Sequence, residues 1–152
     1  AAVSGEHLTI SGTIYDGAGL VVPDAVLEIW QADTHGRYSA APGEPAEFVG
    51  FARVPTDAQG RFSFRTVKPG RVPGPEGRWQ APHLAVTILM RGLLKPVQTR
   101  LYFPNEPANH DDPALGLVPP ARRNTLIAQP EPGGLRWDVH LQGERETVFF
   151  QF

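Results

Sequence analysis

The chain has 152 residues with 14 Lys and Arg against 16 Asp and Glu, a net charge of −2. Both signs are interspersed, which excludes the basic face of a nucleic-acid binder and a polybasic membrane patch. The absence of cysteine excludes disulfide scaffolds, thiolate zinc sites and cysteine nucleophiles together. A single domain of this length buries roughly 70% of its unfolded surface without such staples.

No apolar stretch approaches the roughly 20 residues that span a bilayer. Ala1 to Glu6 carry no signal-peptide pattern, so a cytoplasmic location is expected. Sixteen glycines and sixteen prolines interrupt too often for a helical protein, because both break element interiors.

In chain order, His7 to Tyr15 reads as a strand, with Leu8, Ile10 and Ile14 at period two and Gly12 between them. Asp16 to Gly19 is a turn. Ala25 to Gln31 is a second strand, with Ala25, Leu27 and Ile29 on one face and Pro23 at its entrance. Tyr38 to Glu47 is a loop, Phe48 to Val54 a strand, and Thr56 to Gly60 a turn. Arg61 to Val67 alternates, with Phe62 and Phe64 opposite Arg61, Ser63 and Arg65.

Lys68 to Pro82 holds four prolines and three glycines and is expected to be a loop of functional length. His83 to Met90 and Val97 to Phe103 are strands. Pro104 to Pro132 is loop-like, with a short helix near Pro113 to Leu117 that Asp112 can cap. Arg136 to Gln142 and Thr147 to Phe152 are expected to close a hairpin around Gly143. Many short strands with no internal linker predict one all-β domain over residues 1–152, a sandwich of mixed or antiparallel sheets with long loops and at most one short helix.

A Gly-rich phosphate loop, a nucleophile elbow and a helical His pair are all missing. His7, His35, His83, His110 and His140 stand singly, and a lone histidine is more often a hydrogen-bonded or surface residue than a ligand. Trp30, Trp79 and Trp137 suit core or interface anchors.

The ordered motifs carry more. Pro23 to Asp33 followed by Gly36-Arg37-Tyr38, then Thr56-Asp57 with Gly60 to Gly70, Pro82-His83, Thr99-Arg100-Leu101-Tyr102-Phe103, and Gly143 to Phe150 resemble the intradiol ring-cleaving dioxygenases in order and spacing. The fold this resemblance implies is prealbumin-like. That family holds a ferric ion with two tyrosines and two histidines, since hard phenolate donors suit Fe(III), which then binds a catechol for attack by O₂.

By the same resemblance, the two tyrosine positions fall on Tyr38 and Val72. The two histidine positions fall on His83 and Ala85, two residues apart on one strand face. An arginine ahead of them falls on Gln80. Valine and alanine have no lone pair to give, so the resemblance implies a vestigial pocket without metal and no catalytic residue of its own.

Such losses fit one branch of the family, which cleaves protocatechuate to 3-carboxy-cis,cis-muconate with O₂. There a homologous α chain without metal pairs with a β chain that holds the Fe(III) as a hetero-oligomer. The chain is similar to the α type, although the N-terminal extension of that type is not in this sequence. Arg91 is then the residue expected to reach the partner's pocket and face the substrate carboxylate; its bland alternative is a surface arginine in a turn.

Two other readings compete. Gly12 to Asp16 through Pro23-Asp24-Ala25 also resembles prealbumin-like binding modules, but those end before runs such as Thr99 to Phe103 and Glu146 to Phe150. An independent iron dioxygenase is disfavoured by Val72 and Ala85.

Overall fold

The computed structural model describes residues 5–38 and 50–151. In chain order its elements are β1 (His7–Tyr15), β2 (Val26–Trp30), β3 (Phe51–Pro55), β4 (Arg61–Val67), β5 (Val72–Pro73), β6 (Trp79–Gln80), β7 (His83–Leu89) and β8 (Val97–Tyr102). The short helix α1 (Pro113–Gly116), β9 (Gln129–Glu131), β10 (Gly134–Arg136) and β11 (Val139–His140) complete the order. Three short 3-10 segments accompany them, at Pro75–Gly77, Pro107–Asp111 and Pro120–Leu126.

Two sheets form the sandwich. One has the order β3-β2-β7-β8 and is antiparallel throughout. The other is built on β1, which pairs antiparallel with β4 along one edge and parallel with β10 and then β11 along the opposite edge. β9 extends that sheet through β10.

Alternation decides which side chains enter the core. Ile10 and Ile14 of β1 and Phe62 of β4 meet Leu27 and Ile29 of β2, Leu84, Val86 and Ile88 of β7 and Leu101 of β8, all buried. Each such side chain contributes roughly 1.5–3 kcal/mol by leaving water. Gln31, at the end of β2, joins the two sheets by donating from Nε2 to the Val67 carbonyl at 2.8 Å.

The turns repeat one device. Asp16, Asp33 and Asp57 each accept backbone N–H bonds from the residues two and four positions ahead. The residue three ahead is Gly19, Gly36 or Gly60, each at a positive φ between 72° and 81°. The aspartate mimics a backbone acceptor while glycine takes the left-handed angles.

The expected β1 and β4 match the observed strands residue for residue, and the second strand and the two after the long loop lie within a residue of expectation at each end. The third expected strand is observed from Phe51 to Pro55; Phe48 and Val49 lie outside the described residues, as do positions 39–47 of the loop before it. Asp112 caps α1 as expected, its carboxylate accepting from Leu115 N.

Three expectations need correction. Lys68 to Pro82 is not only a loop, because β5 and β6 pair within it, Val72 opposite Gln80. Pro104 to Pro132 contains β9, which forms a tight hairpin with β10 around Gly133. The expected closing hairpin is replaced by a chain that serves both sheets: Thr147 N donates to the His140 carbonyl, and Phe150 N then donates to Gln98 on β8. Of the tryptophans, Trp137 is buried, while Trp30 and Trp79 are each 53% exposed.

The kink between β10 and β11 explains Gly12. Asp138 Oδ1 accepts from Thr13 N at 2.9 Å, replacing a ladder bond, and Trp137 N donates to Ser11 O. A Cβ on Gly12 would lie 1.8 Å from the Trp137 carbonyl oxygen. Gly12→Ala is expected to lower stability by about 2–4 kcal/mol in urea unfolding, because backbone must move to admit the methyl; a change within about 0.5 kcal/mol would contradict this account.

Candidate functional site

The pleat of β7 sends Leu84, Val86 and Ile88 to the core and leaves His83 and Ala85 on the outer face. The β7–β8 register sets Tyr102 opposite His83 and Arg100 opposite Ala85. Directly opposed residues share a face. The β5–β6 hairpin leads straight into this surface, since Gln80 is followed by Ala81, Pro82 and His83.

Hydrogen bonds tie the group together. Arg100 Nη1 donates to Gln80 Oε1 at 2.8 Å and to the Tyr102 hydroxyl at 3.3 Å. The Tyr102 hydroxyl in turn donates to Asp112 Oδ1 at 2.8 Å. Asp112 Oδ1 also accepts from Leu115 N, and Oδ2 accepts from Ala81 N, both at 2.8 Å. Gln80 Nε2 donates to the Pro73 carbonyl at 3.0 Å and so fixes the amide that holds Arg100.

A cation and a buried anion are thus linked through one phenol. Burial holds the Tyr102 phenol far above its ordinary range, with the Asp112 charge adding to it against the Arg100 cation. The hydroxyl keeps its proton and can donate.

His83 sits against this network, its ring centroid 5.7 Å from that of Tyr102. Its Nδ1 is 2.8 Å from the Ala81 carbonyl, and because a carbonyl only accepts, Nδ1 carries a proton. Burial, then the Arg100 charge, hold the imidazole below its ordinary value, outweighing the Ala81 bond and Asp112. A neutral ring beside a guanidinium is the result.

Of the residues singled out from the sequence, the structure brings Val72, Gln80, His83 and Ala85 to this surface. Val72 is buried and Ala85 half-buried. Tyr38 follows the Asp33 turn and is 61% exposed; no described contact brings it to the group. Arg91 is exposed in the β7–β8 turn, next to Gly92 at a φ of 88° and close in sequence to the fully exposed Leu94.

Arg100, Tyr102 and Asp112 were not singled out as site residues, although they are its charged and polar centre. The Thr99 to Phe103 run served only as a family landmark and Asp112 only as a helix cap. The available signal was period two, which puts Arg100 and Tyr102 on the side of β8 opposite Leu101.

These side chains do not fit a ferric ion. Val72 and Ala85 offer only hydrocarbon, where a ferric ion requires hard anionic or imidazole donors, and Arg100, opposite Ala85, adds a positive charge. Among the described residues, no three His, Asp or Glu side chains are grouped so as to hold a metal.

Fold and site together define an all-β sandwich whose β7–β8 sheet carries, on its outer side, a packed polar network centred on Arg100, Tyr102 and Asp112. The Dioxygenase family profile matches residues 2–143. Over 96% of its length the chain is 49% identical to the protocatechuate 3,4-dioxygenase alpha chain of Burkholderia cepacia, 77% of which is covered. It is 32% identical to the beta chain from the same organism over 94% of its length and 67% of that chain.

Among solved structures, the dioxygenase domain of a carbohydrate-binding fusion protein from Streptomyces superposes with a TM-score of 0.70 at 28% identity, over 97% of this chain and 84% of that one. The chain belongs to the intradiol ring-cleaving dioxygenase family.

The depressed imidazole gives a pH signature. An unfolded histidine titrates near pH 6.5, above the folded value, so on acidification the unfolded state takes up the proton first and the folded state loses stability. Between pH 7.5 and 5.5 the protein is expected to lose stability with a His83 share of at most about 1.4 kcal/mol per pH unit. His83→Gln should flatten that slope in urea unfolding; an unchanged slope would mean that His83 is not held neutral.

Proposed function

We propose that this chain is the non-iron α subunit of a protocatechuate 3,4-dioxygenase. In this reading it assembles with an Fe(III)-bearing β chain and lines that chain's pocket. The reaction is intradiol cleavage of protocatechuate by O₂ to 3-carboxy-cis,cis-muconate. The observation that carries the reading is hydrocarbon at two positions that the family resemblance assigns to metal ligands, Val72 on β5 and Ala85 on the outer face of β7, where Arg100 lies opposite Ala85. Similarity to both an alpha and a beta chain supports a two-chain assembly of homologous subunits.

This chain's own part in the reaction is to bind and orient. Arg91 is exposed in the turn between β7 and β8, as a residue reaching into a partner's pocket must be. A guanidinium matches the planar carboxylate of protocatechuate with two parallel donors. The iron of the partner supplies the activation of the catechol, and the α chain supplies the rim and a fixed positive charge.

No helix among the described residues is long and apolar enough to cross a membrane. A cytoplasmic location, and one domain spanning the chain, belong to the same proposal.

Oxygen uptake tests it. The isolated chain is expected to consume no O₂ with protocatechuate and to contribute to activity once the β chain is added. Within the reconstituted pair, Arg91→Ala should raise KM and lower kcat/KM about 10- to 150-fold, corresponding to the roughly 1.5–3 kcal/mol of a charge-assisted bond. The visible iron spectrum should not change. Uptake by the isolated chain would overturn the subunit reading; an unchanged KM would overturn the role of Arg91.

A further inference from the structure

We infer that Thr99 is a positioning residue for Arg91: its hydroxyl clamps the segment Thr147–Phe150 along β8 and so fixes the turn from which Arg91 reaches the substrate carboxylate. The inference rests on the reading above that Arg91 serves the partner's pocket. It adds that this reach depends on a bond made at the edge of β8 that faces away from β7.

The inward positions of β8 are Val97, Thr99 and Leu101, which face Ile88, Val86 and Leu84 across the ladder. Thr99 is the polar one, and it is 1% exposed. Valine would fill the same volume, but a buried hydroxyl needs an acceptor. Thr99 finds one sideways, donating from Oγ1 to the Val148 carbonyl at 2.8 Å. One residue earlier on β8, the Gln98 carbonyl accepts from Phe150 N at 2.7 Å, in an antiparallel bridge.

The same segment is fixed from behind. Val148 N donates to Thr125 Oγ1 at 3.2 Å. Thr147 N donates to the His140 carbonyl, and Thr147 Oγ1 accepts from His140 N at 3.0 Å. Phe149 packs against the main core, while Val148 and Phe150 pack against the cluster around Tyr102 and Leu126. A strip anchored on both of its faces gives β8 a rigid edge.

The Arg91 turn springs from this edge. Its entry limb is pinned where Leu89 opposes Val26 on β2, and its exit limb where Gln98 and Thr99 bond the segment. Met90 and Val97, at the two limbs, both pack against the main core. Between them Leu93 N donates to Met90 O at a long 3.4 Å, and Arg91, Gly92, Leu94, Lys95 and Pro96 are exposed. The guanidinium is therefore placed by the base of its turn. Two parallel donors match a carboxylate only when their plane is fixed, so a released exit limb weakens recognition of that group alone.

The test separates the carboxylate from the rest of the substrate. Chains carrying Thr99→Val, Thr99→Ala, Thr99→Ser, Arg91→Ala, or Thr99→Val with Arg91→Ala are each assembled with the iron-loaded β chain. Protocatechuate, and catechol, which lacks the carboxylate, are titrated in the absence of O₂, with the visible iron band reporting binding. The quantity read is the preference for protocatechuate, as a ratio of dissociation constants.

Arg91→Ala should lower the preference about tenfold or more and Thr99→Val or Thr99→Ala about three- to tenfold, while Thr99→Ser stays within about twofold of the wild-type pair. The double variant should fall no lower than Arg91→Ala, because the turn has nothing left to position. A merely structural role of Thr99 weakens both ligands alike and leaves the ratio unmoved. That result, with Arg91→Ala still effective, overturns the inference, as does a double variant whose losses multiply. An unmoved preference in Arg91→Ala overturns the Arg91 reading itself and the inference with it. Thr99→Ala removes the hydroxyl without setting a second methyl against the Val148 carbonyl, which provides a variant of the same meaning should Thr99→Val fail to assemble.

Discussion

The site depends on one buried arrangement: a guanidinium and a carboxylate connected through a phenol. Arg100 donates to Tyr102, and Tyr102 donates to Asp112. Neither charge is easily buried alone, and removing one member of a buried charge pair typically costs about 3–5 kcal/mol because the other is left uncompensated. Asp112 carries two further backbone donors, Ala81 N just before β7 and Leu115 N in α1. One carboxylate therefore fastens the segment after β8 to the start of β7. Around it Ala81, Tyr102, Ala108, Leu115, Val118 and Leu126 form a second small core on the outer side of the sheet.

This arrangement needs the register of β7 and β8. Leu84 and Leu101 oppose each other in the main core, and Ala85 and Arg100 oppose each other outside it. A slip of one residue would put Arg100 among aliphatic side chains and Leu101 in the polar network. Packing of the sandwich and chemistry of the pocket thus select the same pairing. On its outer side the same pleat presents Ala85 opposite the Arg100 guanidinium.

The sequence made the long strands legible and the short ones invisible, for a physical reason. β1 and β4 run for nine and seven residues, enough for alternation to declare a buried face. β5, β6 and β11 have two residues each, too few to show any period. β10 and β11 exist because β1, more than a hundred residues earlier, offers an edge. Thr147 to Phe150 alternates like a strand, yet most of it is held by Thr125, Thr99 and a single bridge to Gln98.

The pocket was legible where it could be read by position along a strand, as with His83 and Ala85. Its centre was not, because Asp112 acts across 31 residues to Ala81 and ten to Tyr102. A capping pattern at Asp112-Pro113 says nothing about such contacts.

The central claim is that this polypeptide shapes a pocket without holding the metal that works in it. Counting metal tests this most directly: plasma mass spectrometry on the purified two-chain assembly, with chain stoichiometry measured in parallel. One iron per pair of chains is the expected result. Two irons per pair, each resistant to dialysis against a chelator, would contradict the account.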